Sequence, residues 1–334
     1  MRAVKQRMGV RCTAAAFFSF WAGLVAVAQA YVSGSDVSWV TQEQSSGYVF
    51  RNSSETETDP FVLLKNLGVG AIRLRVWVNP SGGWCNTADV VAKAKRAAAQ
   101  GQQILIDFHY SDTWADPGHQ TEPAAWAGAS LSQLETDVAN HTSSVLNALK
   151  SAGVTVTWVQ VGNEINSGML WPVGNTSNGF GPLAGLINAG YAAVKSVFPS
   201  AQVIVHLANG YNTADFTWFF AGLRSAGGKW DIIGMSHYPT SSNWSTLNSE
   251  LLNTANTMIS TYNTPVMVVE TGMPYNDPTD ANNMIADLTS KIWHLGAHGL
   301  GVFYWEPEAY PGWQGYQNGA VNSNGQFTAA MTHL

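Results

Sequence analysis

Cysteine is almost missing: the 334-residue chain has two, and Cys12 falls in a leader expected to be removed, so Cys85 stands alone. A single thiol makes no intrachain disulfide, and a domain of this size must then be held by its core. Charged residues are scarce too, at 11% of the chain. The apolar run from Ala14 to Val27 is shorter than the ~20 residues a bilayer span needs. Arg2, Lys5, Arg7 and Arg11 precede it and Ala28-Gln29-Ala30 follow, the pattern of a secretory signal peptide. Residues 1–30 are therefore expected to be a signal and 31–334 the mature chain, with no membrane insertion. The leader takes four of the sixteen basic residues and none of the twenty-two acidic ones. What remains is acidic, which argues against nucleic acid or anionic membrane as partners.

Motifs are missing as well. There is no HExxH or comparable spacing for a divalent metal, no G-x-S-x-G nucleophile elbow, and no Gly-rich phosphate loop after the first strand. No linker, low-complexity tract or short repeat divides residues 31–334, so one domain is expected.

Aromatic residues are plentiful, fourteen of them Trp. Short runs rich in Val, Ile and aromatics alternate with longer segments of helical period. Strands are predicted at 32–39, 71–78, 103–110, 156–164, 202–209, 231–238, 265–272 and 299–307. Helices are predicted at 59–66, 87–100, 131–152, 182–197, 214–226, 246–262 and 279–295, with a short one near Phe327. Gly68, Gly101, Gly153 and Gly296 stand where C-terminal caps belong. Eight βα units in a chain of this length predict a single-domain (β/α)8 TIM barrel rather than an open doubly wound sheet.

Active sites of such barrels form at the C-terminal ends of the strands. Here those ends are polar or aromatic on strand after strand: Arg73, Arg75 and Trp77; Asp107, His109 and Tyr110; Asn163 and Glu164; His206 and Asn209; His237 and Tyr238; Glu270; Trp305 and Glu306. Two arginines on one side of a strand demand carboxylates. Glu164 and Glu270 each end an apolar strand, on opposite sides of the mouth. Carboxyls about 5 to 5.5 Å apart suit a retaining glycosidase, and about 6.5 to 9.5 Å an inverting one. The run DFHYSDTWADPGHQ (107–120) reads as a loop lining a sugar groove, with Asp112 and Trp114 on the groove.

IRLRVWVNP (72–80), DFHYSDTWADPGHQ (107–120), VGNEINSGMLWPVG (161–174), VIVHLANG (203–210), VVET (268–271) and FYWEP (303–307) together resemble glycoside hydrolase family 53. These are the endo-β-1,4-galactanases among the (β/α)8 retaining glycosidases. The resemblance implies Glu164 as general acid/base, Glu270 as nucleophile, and Asn163 holding a sugar 2-hydroxyl. It implies Arg73 close to the nucleophile and keeping it anionic, and His237 with Tyr238 orienting it. Trp305 would be the sugar platform, and Asp36, in GSDVSW, matches a family position. His109 is expected near the reaction centre.

Met273 stands where the family usually has an aromatic residue, and the loops after strands seven and eight are short. Asp277 and Asp280 are candidate weak calcium ligands or helix caps; otherwise no cofactor is expected. The expected protein is a secreted monomer cutting β-1,4-galactan, with a mannanase, a cellulase or a non-catalytic galactan-binding barrel as alternatives.

Overall fold

The computed structural model describes residues 31–334; the expected signal peptide lies outside them. Eight parallel strands close into a barrel in chain order: β1 (Val32–Asp36), β2 (Ala71–Val76), β3 (Gln103–Phe108), β4 (Trp158–Val161), β5 (Gln202–Leu207), β6 (Ile232–His237), β7 (Val266–Thr271) and β8 (Gly299–Trp305). Around it lie α1 (Val40–Ser45), α2 (Pro60–Asn66), α3 (Thr87–Ala99), α4 (Leu131–Ser151), α5 (Phe180–Val197), α6 (Thr213–Ser225), α7 (Trp244–Tyr262) and α8 (Pro278–Trp293).

Helix starts follow local chemistry. Asp59, Asn86 and Ser130 each accept a backbone N–H of the first turn of α2, α3 and α4, which satisfies a donor with no partner inside the helix. At the far end Gly101 and Gly153 take φ of 71° and 78°, a region that costs a side chain and costs glycine little.

Two predictions are corrected. α1 was not anticipated: VTQEQS is one short turn and a half, too brief to show a period. β8 is followed by no α-helix, only by short 3-10 turns at Trp313–Gly315 and Ala329–Met331. The strands also stop two or three residues early at β3, β4 and β5. Just beyond them Tyr110, Glu164 and Asn209, and Glu306 beyond β8, take φ between 47° and 58°, which breaks the extended path.

Strand alternation sorts the core into two parts. Outward residues such as Ile72, Ile106, Val159, Val205 and Val302 pack under the helices. Inward residues Ala71, Leu105, Trp158, Ile204, Ile232, Met267, Val269, Leu300 and Phe303 form a separate apolar plug in the barrel. Phe303 fills the axis so closely that a Cβ on Gly34 would lie 2.3 Å from its ring. Above the plug the inward positions turn polar: Asp36, Arg73, Asp107, Gln160, His206 and Ser236, all essentially without solvent exposure. No helix of the described residues is long and apolar enough to cross a membrane.

Candidate active site

Arg73 is the hub of the polar layer. Register places it beside Asp36 on β1 and Leu105 on β3, and its guanidinium reaches Asp36 Oδ2 (2.6 Å), Asp107 Oδ2 (2.9 Å) and Glu270 Oε1 (2.7 Å). It also donates to Asn163 Oδ1 at 2.9 Å. A cation with no solvent exposure is tolerated here because several anions surround it. Asp36 spends its other oxygen on the Ser38 N–H and hydroxyl; it neutralises Arg73 and has no surface left for a ligand.

Glu270 faces the mouth because of a backbone irregularity. Met267 and Val269 point inward and Val266 and Val268 outward, so strict alternation would turn Glu270 toward the helices. The β6–β7 register shifts between Met235 and Ser236, pairing Ser236 with Glu270 instead of Val269. A bulge of this kind re-aims one side chain. Glu270 then accepts from Tyr238 Oη at 3.1 Å and, weakly, from Ser236 Oγ at 3.4 Å.

The same register corrects the expectation for His237. With Ser236 inward, His237 points out, fully buried, and its Nε2 meets Asn248 Oδ1 of α7 at 2.7 Å. Only Tyr238 of the pair reaches the nucleophile position.

Glu164 sits opposite, half-buried. The 107–120 run holds its backbone: Gln120 Nε2 donates to the carbonyls of Asn163 (2.8 Å) and Glu164 (3.4 Å), and Asn163 Nδ2 donates to Ala115 O. His109 Nδ1 accepts from Trp77 Nε1 and Ala115 N, so the ring proton is on Nε2, which donates to Asp107 at 3.0 Å. His109 therefore braces the loop and the polar layer and touches neither glutamate. Asp116 accepts from Gly118 N and contacts His119, shaping the loop tip.

Burial pushes both glutamates up. Glu164 rises to about 7, with Ser236 and Arg73 opposing and Asp116 and Asp107 assisting. Glu270 rises to about 8, chiefly by burial, with Arg73 opposing and Glu164 assisting. The expectation that Arg73 keeps Glu270 anionic is thus only half the balance: the guanidinium pulls down and burial outweighs it. Burial thus favours the protonated form at both carboxyls, and Arg73 opposes it at each. Arg73 and Tyr238 point at Glu270, which favours its ionised form.

Beside the carboxyls lies a cleft of about 560 Å³ walled by Trp39, Trp77, Trp84, Trp114, Trp305 and Tyr316. Arg75 lies beneath it, 4.2 Å from the Trp114 ring and 5.2 Å from Trp39 and Trp77. That packing explains why its Nε and Nη2 have no hydrogen-bond acceptor: they lie among aromatic rings. Trp305 is held by ring contacts from Tyr316, Trp39 and Trp114. Asp112 lines the cleft, but its oxygens accept from Asn79 N and Ala124 N and tie two loops together. Met273 is fully buried in the helix-side core and does not reach the cleft.

Sequence reasoning passed over Gln160 and Ser236. Both occupy inward positions on β4 and β6, and a polar residue at an inward position was the available signal. Asp277 accepts from Asp280 N at 3.2 Å as the cap of α8. Among the described residues no group of three or more His, Cys, Asp or Glu is placed to hold a metal.

Behind Arg75, three buried carboxyls crowd together. Arg75 pairs with Glu306, Glu306 accepts from Trp39 N, and Glu43 accepts from Tyr310 N. Glu308 has no donor for either oxygen and finds a partner in Glu306 only when one of the two carries a proton. Burial raises Glu43 to about 8 and lifts Glu306 and Glu308. A carboxyl whose folded pKa is raised contributes stability that is full below its unfolded value and fades as pH rises through the folded one. Tm is therefore expected to fall between about pH 5 and 8, and Glu308→Gln to flatten that slope; scanning calorimetry across this range checks both. A flat wild-type profile would contradict the protonated cluster.

A (β/α)8 barrel with two glutamates at its mouth and a tryptophan-walled cleft has the makings of a glycoside hydrolase. The model of Glycosyl hydrolase family 53 matches residues 32–334. An arabinogalactan endo-β-1,4-galactanase of Thermothelomyces thermophilus is 35% identical over 300 residues, 82% of this chain and 88% of that one. The galactanase of Humicola insolens is 36% identical with the same coverage. A fungal β-1,4-galactanase structure superposes with a TM-score of 0.84 at 32% identity, covering 91% of this chain and 98% of that one. The chain belongs to glycosyl hydrolase family 53.

Proposed function

We propose that the protein is a secreted, retaining endo-β-1,4-galactanase acting on galactan side chains of pectin. The observation that carries the mechanism is the asymmetry of the glutamate pair. Glu270 receives Arg73 and Tyr238, donors that favour its anionic form, while burial raises both glutamates. Glu270 is the nucleophile: it attacks the anomeric carbon as Glu164 hands its proton to the leaving glycosidic oxygen, giving a glycosyl ester. Esterification removes the charge on Glu270, so Glu164 loses a neighbour that favoured its protonated form. It then takes a proton from water, which displaces the ester with net retention.

Asn163 lies beside the pair and keeps one amide N–H beyond the bond to Ala115 O, enough to hold a sugar 2-hydroxyl. Trp305 supplies a flat apolar face for a galactose ring, whose axial 4-hydroxyl leaves one side apolar. Galactan as substrate rests on the relatives named galactanases. Export rests on the leader sequence.

The test is a comparison of reducing-end release from β-1,4-galactan, mannan and carboxymethylcellulose. Galactan is expected to exceed the others by at least about 100-fold, the scale of discrimination by a site built to pair substrate hydroxyls. Equal activity on mannan or cellulose would overturn the substrate, and binding of galactan with no release of ends would reduce the protein to a lectin-like barrel.

A further inference from the structure

Glu164 lies just past β4 with φ of 47°, in the left-handed region that a residue with a side chain rarely takes. A planar peptide turns as one body, changing ψ of the residue before it and φ of the residue after it together. Turning over the peptide between Asn163 and Glu164 would therefore return Glu164 to an extended conformation and swing its carboxyl away from its present place.

One side chain holds the oxygen of that peptide. Gln120 Nε2 donates to Asn163 O at 2.8 Å and to Asp116 O at 3.0 Å. Both partners are carbonyls, which only accept, so the amide must face them with its nitrogen, and its two N–H groups are committed. Gln120 is itself fixed. It is buried, its own carbonyl accepts from Trp171 N at 2.8 Å, and the adjoining Thr121 pairs with Trp171. Its hydrogen bonds go to main-chain oxygens and to neither catalytic carboxyl.

We propose that Gln120 is a positioning residue for the general acid: by pinning Asn163 O it keeps the Asn163–Glu164 peptide from turning over and holds Glu164 at the leaving glycosidic oxygen. This rests on the assignment of Glu164 and Glu270 above. No bond is made or broken at Gln120 during turnover. Its effect on ester formation is felt where the departing group needs a proton, and is absent where it does not. The 107–120 run then has a second duty besides lining the groove, since its last residue sets the backbone from which the acid projects.

The experiment compares kcat/KM, which reports formation of the glycosyl ester, on two β-galactobiosides: a phenyl glycoside, whose leaving group needs the acid, and a dinitrophenyl glycoside, whose leaving group does not. Gln120→Met fills similar space without a donor. It is expected to lower kcat/KM on the phenyl glycoside by about 100-fold, the scale of a catalytic group misplaced by about an ångström. On the dinitrophenyl glycoside the loss should stay below about threefold, because that step asks nothing of the acid. Gln120→Asn, whose amide is one methylene short of the two carbonyls, should show the same split and decides the matter if Gln120→Met does not fold. In the Glu164→Ala background Gln120→Met is expected to change either value by less than about threefold, since residues that act through one another are not additive. Equal losses on the two substrates, no loss on the phenyl glycoside, or an undiminished loss in the Glu164→Ala background would overturn the proposal. Glu164→Ala alone tests the assignment beneath it. If it spares the dinitrophenyl glycoside and not the phenyl one, Glu164 is the acid whatever Gln120 does; if it lowers both equally, the assignment itself has failed.

Discussion

Glu270→Gln is expected to lower kcat on galactan by roughly four orders of magnitude or more, the scale seen when a nucleophile is removed from a group that acts as a unit. An amide oxygen can still accept from Arg73 and Tyr238, so the binding geometry survives and the attack is lost. Arg73 keeps Asp36 and Asp107 as anionic partners in this variant, so the fold should be retained. Glu164→Ala should behave differently. Its loss costs roughly 10²- to 10⁴-fold on galactan, the usual range for general acid–base help. A substrate with an activated leaving group should be cleaved to the ester nearly as fast as by the wild type, and azide should rescue turnover with retention. Stopped-flow bursts and product stereochemistry check both; full activity in either variant would sink the mechanism.

Arg73→Met is expected to give the largest loss of stability. The guanidinium serves Asp36, Asp107 and Glu270 at once, and breaking a buried ion pair typically costs about 3–5 kcal/mol because a charge is left uncompensated. Three carboxylates would share that fate, so the loss should reach at least this range at pH 8. It should be smaller at pH 5, where unpaired carboxylates can neutralise by taking protons. Urea unfolding at the two pH values measures it. A loss below about 1 kcal/mol, or one independent of pH, would mean that the neighbours rearrange around the missing cation, against the close packing expected of an interior.

Much of this architecture was legible before any coordinates. Alternating strands, glycine caps at Gly101 and Gly153, and polar strand ends were enough for the barrel and for Arg73, Asn163, Glu164, Tyr238 and Glu270 at its mouth. Period two also put Arg73 and Arg75 on one side and required carboxylates for them, though it could not say that Arg75 would take Glu306. What escaped was set by single-residue offsets. His237 was grouped with Tyr238 because they are adjacent in sequence, yet the bulge sends one to α7 and the other to Glu270. Ser236 was passed over because a serine within an apolar strand carries no chemical signal until its partners are known. Asp36, Asp112 and His109 stand where expected and spend their hydrogen bonds on protein groups. A strand position reveals location and says little about which lone pairs remain free.

The slip between β6 and β7 has a bearing on engineering. Someone transplanting this chemistry onto an idealised eight-strand scaffold would naturally copy side chains and build regular strands beneath them. Such a graft would carry the right glutamate and aim it at the helices. The transferable unit is a segment of irregular backbone, from Met235 to Tyr238 and from Val268 to Thr271, in which one extra residue is the feature that must be inherited.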